Sequence, residues 1–164
     1  MLHIIPANLA DPRIVALLQI HTTRALAETA RGSGHALDRT GLQRPDIQVF
    51  AGWKGDDLLV IGALKRLDAT TGELKSMHTA EAARRTGAGR AMLTHLIATA
   101  RAAGMTQIYL ETGSWPYFKP AVAFYQAHGF VPCPPFGAYQ PDPNSLFFTL
   151  DLAPGSASPS AALG

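Results

Sequence analysis

Residues 73–92 run from a strand through a glycine-containing turn into a helix, and this order decides the fold class. They read ELKSMHTAEAARRTGAGRAM. An extended run at residues 73–77 precedes Gly87 and Gly89, after which apolar residues recur at helical spacing. A strand-like run at residues 107–110 follows that helix. The segment therefore predicts one β-α-β unit.

The segments on either side of this unit predict further strands and helices. Asp11 followed by Pro12 is typical of a helix start, and the apolar residues between Ile14 and Leu26 predict its buried stripe. Other strand-like runs lie at residues 3–5, 47–53, 58–64, 130–131 and 146–150, and another helix lies at residues 121–128. The order β-α-β-β-β-α-β-α-β-β indicates an α/β (α+β) sandwich with a mixed, mostly antiparallel sheet flanked by helices.

A single domain is predicted over residues 1–152. The full chain of 164 residues is in the size range of one ordinary domain. Residues 153–164 are rich in Ser, Pro, Ala and Gly and show no apolar periodicity. This composition predicts a disordered C-terminal tail.

Composition and charge exclude several classes of protein. Hydrophobic residues make up 47% of the chain, which excludes disorder as a class, and the longest apolar run, residues 58–64, is too short to span a membrane. The one cysteine, Cys133, excludes an internal disulfide and a cysteine-rich metal site. The first residues lack a signal-peptide pattern, so we expect a cytoplasmic protein. A net charge of +2 argues against a nucleic-acid partner.

The turn before the central helix has the composition of an anion site. A helix N-terminus carries unpaired backbone N–H groups, and Gly87 and Gly89 let an anion approach them without obstruction. Arg84, Arg85 and Arg90 add charged donors. The alternative interpretation, a solvated glycine-rich helix cap, stays open on spacing alone.

Two familiar phosphate-binding patterns do not match this turn. A Walker loop requires Gly-Lys-Ser/Thr, but Gly89 is followed by Arg90 and Ala91. A dinucleotide fingerprint requires a small residue where Met92 stands. A third pattern, Arg/Gln-x-x-Gly-x-Gly/Ala, matches residues 84–89 fully.

Four separated pieces of the chain resemble the GNAT superfamily of acetyl-CoA-dependent N-acetyltransferases. They are the central strand at residues 73–78, the loop at residues 84–89, the strand at residues 107–112, and the Ala-x-x-x-Tyr-x-x-x-Gly-Phe signature at residues 121–130. The likeness covers residues 1–152. Residues 35–38, 62–65, 136–139 and 142–145 further resemble a group of small bacterial YsnE-like acetyltransferases.

The resemblance implies a coenzyme site between two strands of the sheet. The strands at residues 73–77 and 107–110 should separate, so that the backbone of Met77 and Thr79 pairs with the pantetheine arm. The residues implied in coenzyme binding are Met77, His78, Thr79, Arg84, Arg85, Thr86, Gly87, Ala88, Gly89 and Arg90. Many members carry an asparagine where this chain has Phe118, so a coenzyme contact from that amide is absent here.

The resemblance also implies two catalytic residues. Tyr125 matches the tyrosine that commonly acts as the acid for the departing thiolate. Glu73 lies where some members carry the general base, although a structural ion pair with Lys65 or Lys75 is an equal alternative. Glu111 is the second candidate for the base and His78 the third, and water alone would also serve.

The acceptor and other partners follow from the same resemblance. We expect a primary amine of a small molecule or amino acid, acetylated in a ternary complex without a covalent intermediate. The candidate acceptor-binding residues are His35, Asp38, Glu111, Trp115 and Tyr117. Two alternatives are a non-catalytic acetyl-CoA-sensing module and acetylation of a protein amine. No metal, nucleic acid or membrane partner is expected, and a homodimer stays open.

Overall fold

The computed structural model describes residues 1–152, so the tail predicted at residues 153–164 lies outside the described part of the chain. The described residues form seven strands and four α-helices. The strands are β1 (His3–Pro6), β2 (Ile47–Lys54), β3 (Asp57–Arg66), β4 (Thr71–Thr79), β5 (Gln107–Gly113), β6 (Val131–Pro132) and β7 (Ser145–Asp151). The helices are α1 (Pro12–Ala27), α2 (Arg39–Leu42), α3 (Ala88–Ala102) and α4 (Lys119–Ala127), with short 3-10 turns at Glu81–Ala83 and Pro116–Phe118.

The seven strands form one sheet in the order β1-β2-β3-β4-β5-β7-β6. Strands β4 and β5 are parallel, and every other neighbouring pair is antiparallel. The predicted mixed, mostly antiparallel sheet is therefore confirmed. The parallel pair is the β-α-β unit predicted around α3, because a crossover helix is what joins parallel neighbours.

Local sequence signals account for several element boundaries. The Asp11 side chain accepts a hydrogen bond from the Arg13 backbone N–H at 2.9 Å, and Pro12 occupies the first turn of α1. Gly55 has a φ of 60° in the turn between β2 and β3, where a residue with a Cβ is strained. The chain thus begins α1 at the predicted Asp11-Pro12 start and reverses between the strand-like runs predicted at residues 47–53 and 58–64.

Apolar side chains fill both faces of the sheet. One cluster lies under α3 and α4 and includes Met92, Leu96, Ile108, Leu110 and Phe148. The other lies under α1 and α2 and includes Ile14, Leu18, Leu42, Ile61 and Ala63. Each helix covers the sheet through the stripe of residues that recur every three to four positions.

The predicted buried stripe of α1 was wrong beyond its first two turns. The helix buries Ile14, Leu17 and Leu18, whereas Ile20 is 53% exposed and Leu26 is 46% exposed. Ile20 and Leu26 are apolar but lie off the face that meets the sheet. The residue type predicted burial at these positions, but burial in a helix also depends on the position around the helix axis.

Strands β4 and β5 separate soon after they begin to pair. Thr71 pairs with Gln107, Gly72 with Ile108 and Glu73 with Tyr109, and there the ladder ends. Strand β4 nevertheless continues to Thr79 and β5 to Gly113. The predicted separation of these strands is confirmed, and it opens a gap in the middle of the sheet. We call the space between residues 74–79 and residues 110–113 the strand gap.

Candidate functional site

The β4 side of the strand gap contains a strained bulge. The register between β3 and β4 shifts between Ile61 and Ala63, opposite Ser76. Ser76 has a φ of 54°, a left-handed conformation that costs a residue with a side chain about 1–3 kcal/mol. Its buried Oγ has no hydrogen-bond partner among the described residues. A bulge of this kind redirects the backbone groups that follow it, here those of Met77 and His78.

The N-terminus of α3 opens beside the end of β4. Gly87 caps the helix in the left-handed conformation, with a φ of 87°, and no side chain caps the helix there. The first helical hydrogen bond runs from the Ala91 N–H to the Gly87 carbonyl at 3.0 Å, so the N–H groups before Ala91 precede the helical ladder. A Cβ on Gly89 would lie 3.2 Å from Thr79 Oγ1. The turn and the strand gap are thus in contact.

The residues predicted to bind the coenzyme converge on this corner. Arg84, Arg85 and Arg90 are exposed around the turn, and Arg85 itself has a φ of 64°. The Thr86 hydroxyl donates a hydrogen bond to the Ala83 carbonyl, which shapes the loop, and Ala88 is buried at the helix start. This corner has the features of a pyrophosphate site. It offers backbone N–H groups outside the helical ladder and three arginine side chains, and nothing lies within 4 Å of the Cβ position of Gly87.

A buried ion pair lies on the α1 face of the sheet. Lys75 Nζ is 3.1 Å from Glu73 Oε2, and the same oxygen accepts a 2.6 Å hydrogen bond from the Tyr139 hydroxyl. Lys75 Nζ also donates to the Tyr139 hydroxyl oxygen at 3.0 Å. Glu73 is 2% exposed. Of the two lysines considered for Glu73, Lys75 is the partner, while Lys65 is its register neighbour on β3.

Glu111 lies across the strand gap from this ion pair. It is half-buried on β5, two residues beyond the last β4–β5 pair. Desolvation raises the pKa of its carboxyl to about 7. The nearby Ser145 hydroxyl and Lys75 ammonium oppose this rise, while the Glu73 and Asp142 carboxylates add to it. A carboxyl with a pKa near neutrality can take up and give back a proton at working pH.

Two histidines meet beside the strand gap. His21 Nδ1 on α1 lies 3.2 Å from His78 Nδ1 on β4, and the rings meet edge to face. Burial, then the neighbouring His78 and Lys75, lowers the pKa of His21 to about 4, and burial beside Arg84 lowers the pKa of His78. Both rings are therefore neutral near pH 7, with a proton on one of the two facing nitrogens. His78 as a third candidate base has one nitrogen engaged in this pair.

Tyr125 lies on the opposite face of the sheet from Glu73. It is a buried residue of α4 in the cluster under α3 and α4, and its ring contacts Phe124 and Phe130 edge to face. Burial raises the pKa of its phenol, so the hydroxyl keeps its proton. The structure thus separates the proposed acid from the proposed bases by the thickness of the sheet.

Loops at residues 31–38 and 137–142 border a cleft of about 390 Å³ that reaches Glu73. His35 lines it and packs edge to face against Tyr139. Asp38 does not join this group, because its carboxylate caps α2 by accepting from the Gly41 N–H at 2.8 Å.

Trp115 and Tyr117 lie in the turn that precedes α4. Trp115 Nε1 donates to Asn144 Oδ1 at 3.1 Å, and the Arg24 guanidinium lies over the Tyr117 ring at 4.8 Å. The Phe118 ring packs against Gly113, where a Cβ would clash with it. These contacts tie the turn to α1 and to the loop before β7.

Sequence reasoning missed Tyr139 and His21 as parts of the site. Tyr139 lies in residues 136–139, for which the sequence predicts a resemblance but no role, and His21 lies in α1 with no predicted role. Their partners lie 66 and 57 residues away along the chain, so no local pattern points to them. Only the packing of a loop and a helix onto the same face brings them to β4.

Comparisons with known proteins agree with this geometry. Residues 16–130 match the model of the acetyltransferase (GNAT) family. The uncharacterized N-acetyltransferase YsnE of Bacillus subtilis is 38% identical over 92% of this chain and 100% of its own length. The uncharacterized N-acetyltransferase YedL of Escherichia coli is 37% identical over 93% of this chain and 96% of its own length.

Solved structures show the same fold. A putative acyl-CoA N-acyltransferase from Klebsiella pneumoniae superposes with a TM-score of 0.76 at 26% identity, covering 93% of this chain and 99% of the other. A Bacillus subtilis acetyltransferase in complex with CoA superposes with a TM-score of 0.69 at 17% identity, covering 93% of this chain and 100% of the other. The chain therefore belongs to the GNAT family of acetyltransferases.

Proposed function

We propose that this enzyme transfers the acetyl group of acetyl-CoA directly to the primary amine of a small molecule or amino acid. The observation that carries the proposal is the strand gap, with the open N-terminus of α3 at its end. Family membership supports acyl transfer, and the related structure described as a complex with CoA supports the coenzyme. The cleft of about 390 Å³ beside Glu73 favours a small acceptor.

The coenzyme site is assigned to two adjoining parts of the chain. The N–H groups at the start of α3, with Arg84, Arg85 and Arg90, hold the pyrophosphate. The free edge of β4 at Met77 and Thr79 pairs with the pantetheine arm as an added strand would. Acetyl-CoA supplies the activated acyl group as a thioester.

The reaction needs two proton movements around one acyl transfer. The amine nitrogen bonds to the acetyl carbon, the carbon–sulfur bond breaks, and the coenzyme leaves as a thiol. A carboxylate at the strand gap, Glu73 or Glu111, takes the proton of the acceptor ammonium. Tyr125, protonated until the carbon–sulfur bond breaks, donates its proton to the departing sulfur and is reprotonated by the second proton that the amine nitrogen loses as the amide forms. A backbone N–H beyond the bulge at Ser76 is suited to stabilise the developing oxyanion.

Thiol release from acetyl-CoA tests the activity directly. The purified protein is assayed against a panel of amines and amino acids, with Tyr125→Phe as the second sample. We expect at least one acceptor to raise thiol release above background and the variant to lose most of that rate. Coenzyme binding without thiol release for any acceptor would instead identify an acetyl-CoA-sensing module.

A substitution at the helix start tests the coenzyme site. Gly89→Glu places a bulky negative charge beside Thr79 and among the N–H groups of α3, so binding of CoA measured by calorimetry should be lost. Ala98→Glu is the matched control, because it adds the same charge on the exposed side of the same helix. Equal CoA affinity in the two variants would refute the assignment.

A further inference from the structure

Two lysines flank the buried Glu73 carboxylate on the α1 face of the sheet. Lys65 lies directly opposite Glu73 on β3, and Lys75 follows Glu73 two residues later on β4. The residues between them, Leu64 and Leu74, belong to the core under α3 and α4, so all three charged side chains share the other face. Two ammonium groups and one carboxylate thus lie side by side on this face.

The Glu73 carboxylate pairs with only one of the two lysines. Its Oε2 lies 3.1 Å from Lys75 Nζ, whereas no carboxylate oxygen of residues 1–152 lies within 4 Å of Lys65 Nζ. The hydrogen bond from Arg44 Nε, 3.1 Å long, lowers the pKa of Asp46 most, and the more distant charge of Lys65 lowers it least. Lys65 is therefore a cation without a close anionic partner in the described part of the chain.

Lys65 is half-buried and lines the cleft of about 390 Å³. The cleft has open space at two of its other lining residues, Gly32 and Gly137, because nothing lies within 4 Å of the Cβ position of either glycine. Asp142 also lines the cleft, but its carboxylate is engaged by the Asn144 N–H at 2.8 Å. A lysine that borders a small open cleft and lacks a close partner is a binding group for an anion.

We propose that Lys65 binds a carboxylate of the acceptor, so that the enzyme acetylates amines that also carry a carboxylate group. The inference rests on the proposed acetyl transfer and names the substrate class of the same site. A carboxylate at Lys65 balances the second ammonium group of the α1 face, and a half-buried pair of this kind is screened less than an exposed one. Lys65 holds and orients the acceptor and takes no part in the proton transfers.

The cleft that Lys65 lines meets the strand gap at Glu73. Glu73 lines the cleft and is also the last residue of β4 that pairs with β5. The bulge at Ser76 lies three residues further along β4, about 10 Å away at the spacing of a strand. A lysine side chain and a small acceptor together span that distance. The acceptor can therefore have its carboxylate at Lys65 and its amine in the strand gap.

Pairs of acids and amides test this role of Lys65. The standard amino acids, 4-aminobutanoate and 6-aminohexanoate are assayed for thiol release, each beside its own carboxamide, which has a similar shape and no negative charge. For the acid with the highest kcat/KM, Lys65→Gln should reduce kcat/KM by about tenfold or more, because a hydrogen bond between charged groups is lost. The same substitution should change kcat/KM for the matching amide little. The affinity for CoA, measured by calorimetry, should stay at the wild-type value if the variant is folded.

Two further variants and the pattern of loss separate this inference from the proposed function. Lys65→Arg keeps the cation and should retain the preference for the acid, while Lys54→Gln, which removes an exposed lysine at the end of β2, should behave as the wild type. Equal loss for acid and amide in Lys65→Gln, or no loss for either, refutes the role of Lys65 and leaves acetyl transfer intact. Turnover only of amines that lack a carboxylate refutes it as well. Coenzyme binding with no thiol release for any amine refutes the proposed function, and this inference with it.

Discussion

Glu111 should make the folded protein less stable as the pH rises, and Glu111→Gln should remove that effect. In the folded state its carboxyl has a pKa of about 7, raised from an ordinary value of 4.5. The stability that the neutral carboxyl contributes is present below the ordinary value and is lost as the pH rises through about 7, because the unfolded chain ionises first. Glutamine is neutral at every pH and keeps a similar shape.

The size of the effect follows from the two pKa values. The carboxyl has a pKa of 4.5 in the unfolded chain and about 7 in the folded protein. Its ionisation therefore lowers the free energy of unfolding by about 2.5 kcal/mol between about pH 5 and about pH 8. Other titrating groups contribute equally to the wild type and the variant. The free energy of unfolding of Glu111→Gln, relative to that of the wild type, should therefore rise by about this amount from the lower to the higher pH.

Urea denaturation at the two pH values measures this shift. The free energy of unfolding of each protein is extrapolated from the transition, and the slopes are checked for equality. Asp57→Asn, which removes an exposed carboxylate at the start of β3, serves as the control for the loss of one carboxylate. A wild-type–variant difference that stays the same at both pH values would show that Glu111 titrates normally, and the reasoning from burial would fail.

Two further predictions concern the groups that surround β4. Tyr139→Phe removes the 2.6 Å hydrogen bond to the buried Glu73 carboxylate, so urea denaturation should show a loss of about 1.5–3 kcal/mol; a loss below the error of the fit would contradict the pairing. His21 has a pKa lowered from 6.5 to about 4, so its neutral ring contributes to the free energy of unfolding fully above about pH 6.5. That contribution should fall by about 2 kcal/mol as the pH falls from about 7 to about 5. His21→Leu should flatten this loss, and an unchanged pH profile would exclude a buried neutral histidine.

The sequence predicted the order of helices and strands along the chain well, because that order depends on local signals. The Asp11-Pro12 helix start, the turn at Gly55 and the periodicity of α3 each lie within a few residues. The spacing of Gly87 and Gly89 after a strand likewise predicted a turn at the helix start. The α1 stripe was the exception, since Ile20 is exposed although its residue type favours burial.

The candidate site could be predicted only in part. The resemblance proposed Glu73, Glu111 and Tyr125 as catalytic candidates, and the sequence offered Lys75 as one partner for Glu73. It could not choose between Lys65 and Lys75, because Lys65 lies opposite Glu73 on β3 and Lys75 lies two residues further along β4, so both share a face with Glu73. It also predicted no role for Tyr139, which reaches Glu73 from a loop 66 residues away.

The sequence by itself determined the β-α-β unit, the glycine turn before α3 and the resemblance to the GNAT family, because each depends on short motifs whose residues are neighbours along the chain. Only the tertiary structure decided that β4 and β5 part after Glu73, that Lys75 and Tyr139 engage Glu73, and that Glu111 has a pKa of about 7. Pairing and desolvation depend on which surfaces pack together, and distant segments determine that packing.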